Sequence, residues 1–117
     1  MKQGSHVILK KSLEEGKAKG FQVKIRGKIH YGLVVRKQEK FYAYRNECRH
    51  LSITLDLNDE QFFNAEGTHL QCQMHGATYE IENGECIAGP CVGSRLERLE
   101  IQIEENRLVV QFKEESK

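Results

Sequence analysis

Two short segments constrain this chain more than any other feature. Cys48-Arg49-His50 and Cys72-Gln73-Met74-His75-Gly76 each supply one thiol and one imidazole, and 21 residues separate His50 from Cys72. Four soft or borderline ligands in two loops point to a shared metal centre. Such a centre needs a fold that brings the two loops together from distant points of the chain. Zinc is one occupant to consider, because a structural zinc site accepts two Cys and two His. The spacing argues against it. Paired zinc ligands usually stand about two to four residues apart, and zinc-finger histidines form a C-terminal pair of their own. Here a single residue, Arg49, lies between Cys48 and His50.

The remaining chain bounds what could surround such a centre. At 117 residues and 13.5 kDa, it is read as one domain, residues 1–117, with one modest core. A large enzyme with its own substrate domain is excluded. The longest apolar runs, such as Gly32-Leu33-Val34-Val35, fall far short of the ~20 residues of a membrane span. Residues 1–11 hold no apolar stretch of signal-peptide type. The expectation is a cytoplasmic protein without a membrane anchor, in which four cysteines suit metal or redox chemistry better than a disulfide framework.

A net charge of +1 gives no global case for nucleic-acid binding. The charge is nonetheless segregated. Residues 1–50 carry 13 Lys and Arg against 4 Asp and Glu, whereas residues 51–117 carry 5 against 13. Either the halves interleave and neutralise one another, or the molecule has a basic and an acidic end that steer docking.

Short β-branched and aromatic runs separated by Gly, Asn and charged residues predict an all-β fold of eight to ten strands, closed as a sandwich or small barrel. His6-Val7-Ile8-Leu9 is the first strand, and Ser12 to Gly16 is a helical turn or tight loop. Phe21, Val23 and Ile25 alternate with polar residues at the period of a half-buried strand. Tyr31 to Arg36 and Lys40 to Arg45 form a meander around Lys37-Gln38-Glu39. A short strand is expected near Phe62-Phe63 and another at His69-Leu70-Gln71. Thr78 to Glu82 and Glu85 to Ile87 flank Asn83-Gly84, a strong hairpin signal. Leu99, Ile101 and Ile103 alternate before the turn Glu105-Asn106, and Leu108 to Phe112 returns. The aromatics Phe21, Phe41, Tyr42, Tyr44, Phe62, Phe63 and Phe112 read as core or half-buried. His6, His30 and His69 read as surface or strand histidines. The acidic stretch 56–68 reads as a surface excursion or part of a docking face.

The C-x-H spacing fits two adjacent irons that each take one ligand from each loop. A Rieske centre has this need, since two His replace two Cys on one iron of its 2Fe–2S cluster. The chain resembles a Rieske domain, whose ligands fall in a C-x-H and a later C-x-x-H motif. Both occur here in order, and Gly89-Pro90 resembles the proline loop that covers the cluster in that family. The resemblance spans roughly residues 6 to 112. It implies an antiparallel β-sandwich or barrel with a cluster-binding subdomain at its tip. The cluster loops would be about 46–52 and 72–76, with the proline loop about 88–92. Cys48 and Cys72 would bind one iron, and His50 and His75 the other.

The respiratory members of that family carry an extra Cys in each ligand loop, forming a disulfide. Ile53 and Met74 stand at those positions here. Such members also place a hydroxyl two residues after the second His, where this chain has Ala77; a family Tyr is retained as Tyr79. Fewer hydrogen bonds to sulfur disfavour the reduced cluster, so the resemblance implies a lower-potential, ferredoxin-like centre. Ala77, Tyr79 and Pro90 are thus the residues expected to tune it. Arg49, Gln73 and Met74 flank the ligands and form the expected docking rim. Cys86 and Cys91 lie outside the ligand motifs and read as buried small side chains, a short-loop disulfide or a reactive thiol.

No facial triad for a mononuclear iron is findable, so independent catalysis is not expected. The resemblance implies a soluble one-electron carrier. Its partners would be a flavin or iron–sulfur reductase and a terminal oxygenase or reductase, with no nucleic acid or membrane. Alternatives are a small subunit of a multi-subunit reductase, similar to that of nitrite reductase, a redox sensor, and a zinc-stabilised interaction module.

Overall fold

A computed structural model describes residues 3–46, 62–72 and 76–113. Its strands are β1 (Gln3–Leu9), β2 (Ala18–Ile25), β3 (Lys28–Lys37), β4 (Lys40–Arg45), β5 (Leu70–Gln71), β6 (Thr78–Tyr79), β7 (Cys86–Ala88), β8 (Glu100–Glu104) and β9 (Arg107–Lys113). They form three antiparallel three-stranded sheets, ordered β1-β9-β8, β2-β3-β4 and β5-β6-β7. The only helical piece among the described residues is a 3-10 turn at Lys10–Ser12. The all-β expectation holds, but near Phe62-Phe63, where a short strand is expected, Phe63 makes only an isolated bridge to Leu70.

The β2-β3-β4 sheet is the middle layer. Phe21, Val23 and Ile25 of β2, with Val34 and Ala43, pack against Leu108, Val110 and Phe112 of β9. On the opposite face Leu33, Val35 and Tyr44 pack against Phe62, Leu70 and Tyr79. A strand covered on both faces needs apolar side chains at consecutive positions. That is why Leu33-Val34-Val35 runs unbroken and is fully buried, while β2, with one face partly open, alternates. The chain before β8 lies along β4, with Arg45 N–H donating to Glu97 O at 2.8 Å and Leu99 N–H to Ala43 O at 2.9 Å. Strand β1 runs beside β2. The two larger sheets therefore close toward a barrel.

Turn chemistry explains the meander. Arg26 and Gly27 both take positive φ, 52° and 77°, closing the β2–β3 hairpin in two residues. Gln38 and Glu39 do the same between β3 and β4, at 53° and 64°. Neither is a residue that favours this conformation. The Glu15 carboxylate compensates by accepting from both backbone N–H groups, Gln38 and Glu39. Those bonds, Glu39 first, hold its carboxyl below the ordinary glutamate value.

The Asn83-Gly84 hairpin forms, but with a longer loop than a two-residue turn. Only Gly84 is left-handed, at φ 75°. Glu80 N–H donates to Glu85 O at 2.9 Å, and Gly84 N–H to Glu80 O at 2.8 Å. Ile103 differs from its alternation and is exposed on the edge strand β8, although its partner across the ladder, Leu108 of β9, is fully buried. His30 lies on a strand as expected, yet it is buried.

Tyr44 ties the small β5-β6-β7 sheet to the middle layer. Its Oη donates to Ile81 O at 2.6 Å, and the ring is fully buried. Tyr44→Phe is expected to cost about 1–2 kcal/mol, because the Ile81 carbonyl loses its partner in a buried place. Burial pushes the phenol up to about 12. The unfolded chain therefore ionises first, and wild-type stability falls as pH rises through about 10. The Phe variant lacks that alkaline loss, so urea titrations at pH 7 and above pH 10 check both parts.

Candidate metal centre

Cys72 follows β5 directly and is fully buried. Two backbone bonds fix its place. Cys72 N–H donates to Ala77 O at 2.8 Å, and Gly76 N–H donates to Cys72 O at 2.8 Å. Gly76 turns the chain with φ 74°. The β5–β6 hairpin thus ends in a closed loop with Cys72 at one foot and Ala77 at the other. Gln71 Nε2 donates to Thr78 Oγ1 at 3.2 Å, and Thr78 Oγ1 donates to Gly76 O at 3.0 Å, bracing the base.

The expected proline loop lies against this one. Gly89, at φ 94°, comes so close that a Cβ placed on it would stand 2.7 Å from Ala77 Cα and 3.1 Å from Ala77 N. Ala77 is fully buried and Pro90 exposed. Beyond Pro90, Cys91 turns back inward; Ser94 Oγ donates to Cys91 O at 2.7 Å, and Cys86 N–H donates to Ser94 O at 2.9 Å. Cys72, Ala77, Tyr79, Cys86 and Cys91 all belong to one buried core. The Cys86 thiol donates to Ala88 O at 3.3 Å, and no disulfide joins it to Cys91. Tyr79 pairs with Leu70 on one side and Cys86 on the other.

Of the four sequence-predicted ligands, Cys72 is described. Cys48, His50 and His75 lie outside the described residues, as do the docking-rim residues Arg49, Gln73 and Met74. Among the described residues, no three His, Cys, Asp or Glu side chains converge as a metal site. The structure brings together Cys72, Ala77, Tyr79 and the proline loop. The first ligand segment departs from Asn46, a buried residue whose N–H donates to Tyr31 O at 2.8 Å.

Sequence reasoning missed a charged cluster at that point of departure. Arg45, the last residue of β4, places Nε 3.0 Å from Glu97 Oε1. Its Nη1 lies 3.1 Å from His30 Nδ1. The guanidinium can only donate, so the imidazole nitrogen accepts. The same guanidinium sits 4.5 Å from the centroid of the Phe112 ring. Nothing in the local pattern around Glu97, 52 residues away, announced this pairing.

The family model described as "Rieske [2Fe-2S] domain" matches residues 5–113. No curated protein matches the chain. Among solved structures, the ferredoxin of carbazole 1,9a-dioxygenase from Nocardioides aromaticivorans IC177 is 25% identical, with a TM-score of 0.70 over 92% of this chain and 95% of that one. The reduced complex between oxygenase and ferredoxin in carbazole 1,9a-dioxygenase matches at 19% identity and a TM-score of 0.72, over 91% of this chain and 27% of that one. The terminal oxygenase of carbazole 1,9a-dioxygenase from Novosphingobium sp. KA1 matches at 19% identity and 0.72, over 96% and 30%. The chain thus spans under a third of the last two, whose likeness shows the fold. No helix among the described residues is long and apolar enough to cross a membrane.

Proposed function

Because this chain belongs to the Rieske [2Fe-2S] domain family, whose model spans residues 5–113, we propose that it carries single electrons from a reductase to an oxygenase or other terminal enzyme. Its cofactor is one 2Fe–2S cluster. Cys48 and Cys72 hold one iron and His50 and His75 the other. The described part of the site fits that group. Cys72 presents a thiol inside a fully buried loop foot, closed by two backbone bonds and backed by Gly89. A thiolate there is shielded from water and held in one position.

When bound, the cluster supplies a one-electron couple, with neutral imidazoles on one iron raising its potential above that of an all-cysteine cluster. The protein contributes rigidity. The β5–β6 hairpin fixes the Cys72 backbone, the packed Ala77 and Gly89 keep the two loops in register, and Tyr79 is fully buried in the same core. Ala77 offers no hydroxyl to sulfur, which favours a lower potential.

A carrier role, rather than catalysis, draws on the likeness to a ferredoxin over almost its entire length. That ferredoxin belongs to a dioxygenase system, which makes a terminal oxygenase the leading acceptor and a flavin or iron–sulfur reductase the donor. Redox encounters of this kind are small and transient.

The test is electron paramagnetic resonance of the dithionite-reduced protein, with iron, sulfide and zinc counted on the same sample. Two irons, two sulfides and a low-average-g Rieske signal are expected, with a reversible one-electron wave in film voltammetry. One zinc and no signal would replace the carrier by a zinc-stabilised module. A cluster that is reduced reversibly but passes no electron to a terminal enzyme, and whose partner binds differently in the two states, would leave the sensor reading in its place.

A further inference from the structure

We propose that Thr78 is a positioning residue for the cluster: its hydroxyl latches the loop that carries Cys72 and His75 and sets how firmly the cluster is held. This rests on the cluster assignment above. Thr78 is the only hydroxyl-bearing residue in 71–78, and it lies outside the ligand motif. Its Oγ1 accepts from Gln71 Nε2 at 3.2 Å and donates to Gly76 O at 3.0 Å. Gln71 is the residue before Cys72, and Gly76 is the residue after His75. One hydroxyl therefore touches the chain on both sides of the ligand loop.

Gly76 is the point where that loop would open. It stands at φ 74°, and its N–H already donates to Cys72 O at 2.8 Å. The Thr78 hydroxyl holds its carbonyl as well, so both polar groups of Gly76 are fixed. Glycine has the widest backbone freedom of any residue, and here that freedom is removed by two bonds. The ladder alongside gives limited help. Strand β6 has only two residues, and its pairing with β7 shifts register between Thr78 and Tyr79. A bulge disrupts the ladder locally, so a side-chain bond takes over part of the backbone's task.

The hydroxyl has no second task. Gln71 and Thr78 face each other across the β5–β6 ladder and are partly exposed, whereas Leu70, Cys72, Ala77 and Tyr79 are buried. Removing the hydroxyl leaves no void in the core. A hydroxyl also has one proton, and this one goes to a carbonyl rather than to a sulfur. The competing account is a general brace of the hairpin that supports folding alone.

The experiment uses the full chain carrying its cluster, as wild type, Thr78→Val, Thr78→Ser and Gln71→Met. Three things are read on each: the rate at which an iron chelator strips the cluster, the resonance signal of the reduced sample, and hydrogen exchange of peptides covering 72–78 and β2–β3. Thr78→Val keeps the branched shape and is expected to release iron about tenfold faster, the low end of the roughly 10–100-fold loss from removing a supporting group around a metal. Its resonance lines broaden, and faster exchange is confined to 72–78. Thr78→Ser restores all three. Gln71→Met releases about threefold faster, because the bond to Gly76 remains. Release from Thr78→Val at the wild-type rate overturns the proposal. So does a Thr78→Ser chain no better than Thr78→Val, since shape and not the hydroxyl would then be at work. Faster exchange in β2–β3 as well assigns Thr78 to overall folding and also overturns it. If Thr78→Val binds no iron, Gln71→Met decides, and its release at the wild-type rate overturns the proposal. A wild-type chain without two irons overturns the cluster assignment instead, so the two failures are distinguishable.

Discussion

Gly89→Ala is expected to destabilise the folded chain by about 2–5 kcal/mol and to release the cluster. Two independent costs add. The backbone at φ 94° is one that residues with a Cβ rarely adopt. The new Cβ would also stand 2.7 Å from Ala77 Cα, a backbone atom that cannot swing aside. Either the proline loop lifts off or the Cys72–Ala77 loop shifts. The first uncovers the loop that holds Cys72, the proposed sulfur ligand, and the second moves Cys72 itself. Against a typical domain stability of about 5–15 kcal/mol, the loss is large. Gly93→Ala separates the two costs: Gly93 has a similar φ of 101°, yet nothing lies within 4 Å of its added Cβ. It should show the conformational cost alone and retain the cluster. Urea midpoints, read with visible absorbance of the iron–sulfur chromophore, check both. Equal behaviour of the two variants would mean that loop contact is unimportant.

Cys72→Ala is expected to abolish the cluster with only a modest effect on packing. Removing one sulfur from a buried place leaves a small void, and Cys is a small hydrophobe in that role. Removing a ligand is far more severe than the roughly 10–100-fold loss of affinity seen when a supporting outer-shell group is removed. Cys86→Ala is the control. Cys86 is buried in the same core, and its thiol bonds to Ala88 O rather than reaching for a metal. Its variant should keep two irons per chain and an unaltered resonance signal. If Cys72→Ala retains two irons and the Rieske signal, Cys72 is not a ligand. If Cys86→Ala loses them, the ligand set has been misassigned.

Much of this was legible from the chain. Period-two alternation located β2 because one of its faces is partly open, so burial and exposure follow the pleat. The apolar run of β3 was visible too, but its meaning was not, since a run fits any strand covered on both sides. Ile103 shows the limit: its pattern matches a buried face, but on the edge strand β8 it stays exposed beside the buried Leu108. The β3–β4 turn was placed correctly, although Gln38 and Glu39 are poor residues for it. Its support comes from Glu15, more than twenty residues earlier. The Arg45–Glu97 pair was invisible for the same reason.

The ligand types, their spacing and the glycine-proline segment are covalent facts, and they determined the family and its cofactor without any geometry. Local alternation likewise determined the all-β class, because a strand's faces repeat every two residues. The tertiary structure decided what touches what. It set Gly89 against Ala77, buried three cysteines in one core, and paired Arg45 with Glu97 across the seam between β4 and the chain before β8. Those contacts join residues far apart in sequence, and only closure of the sheets brings them within reach.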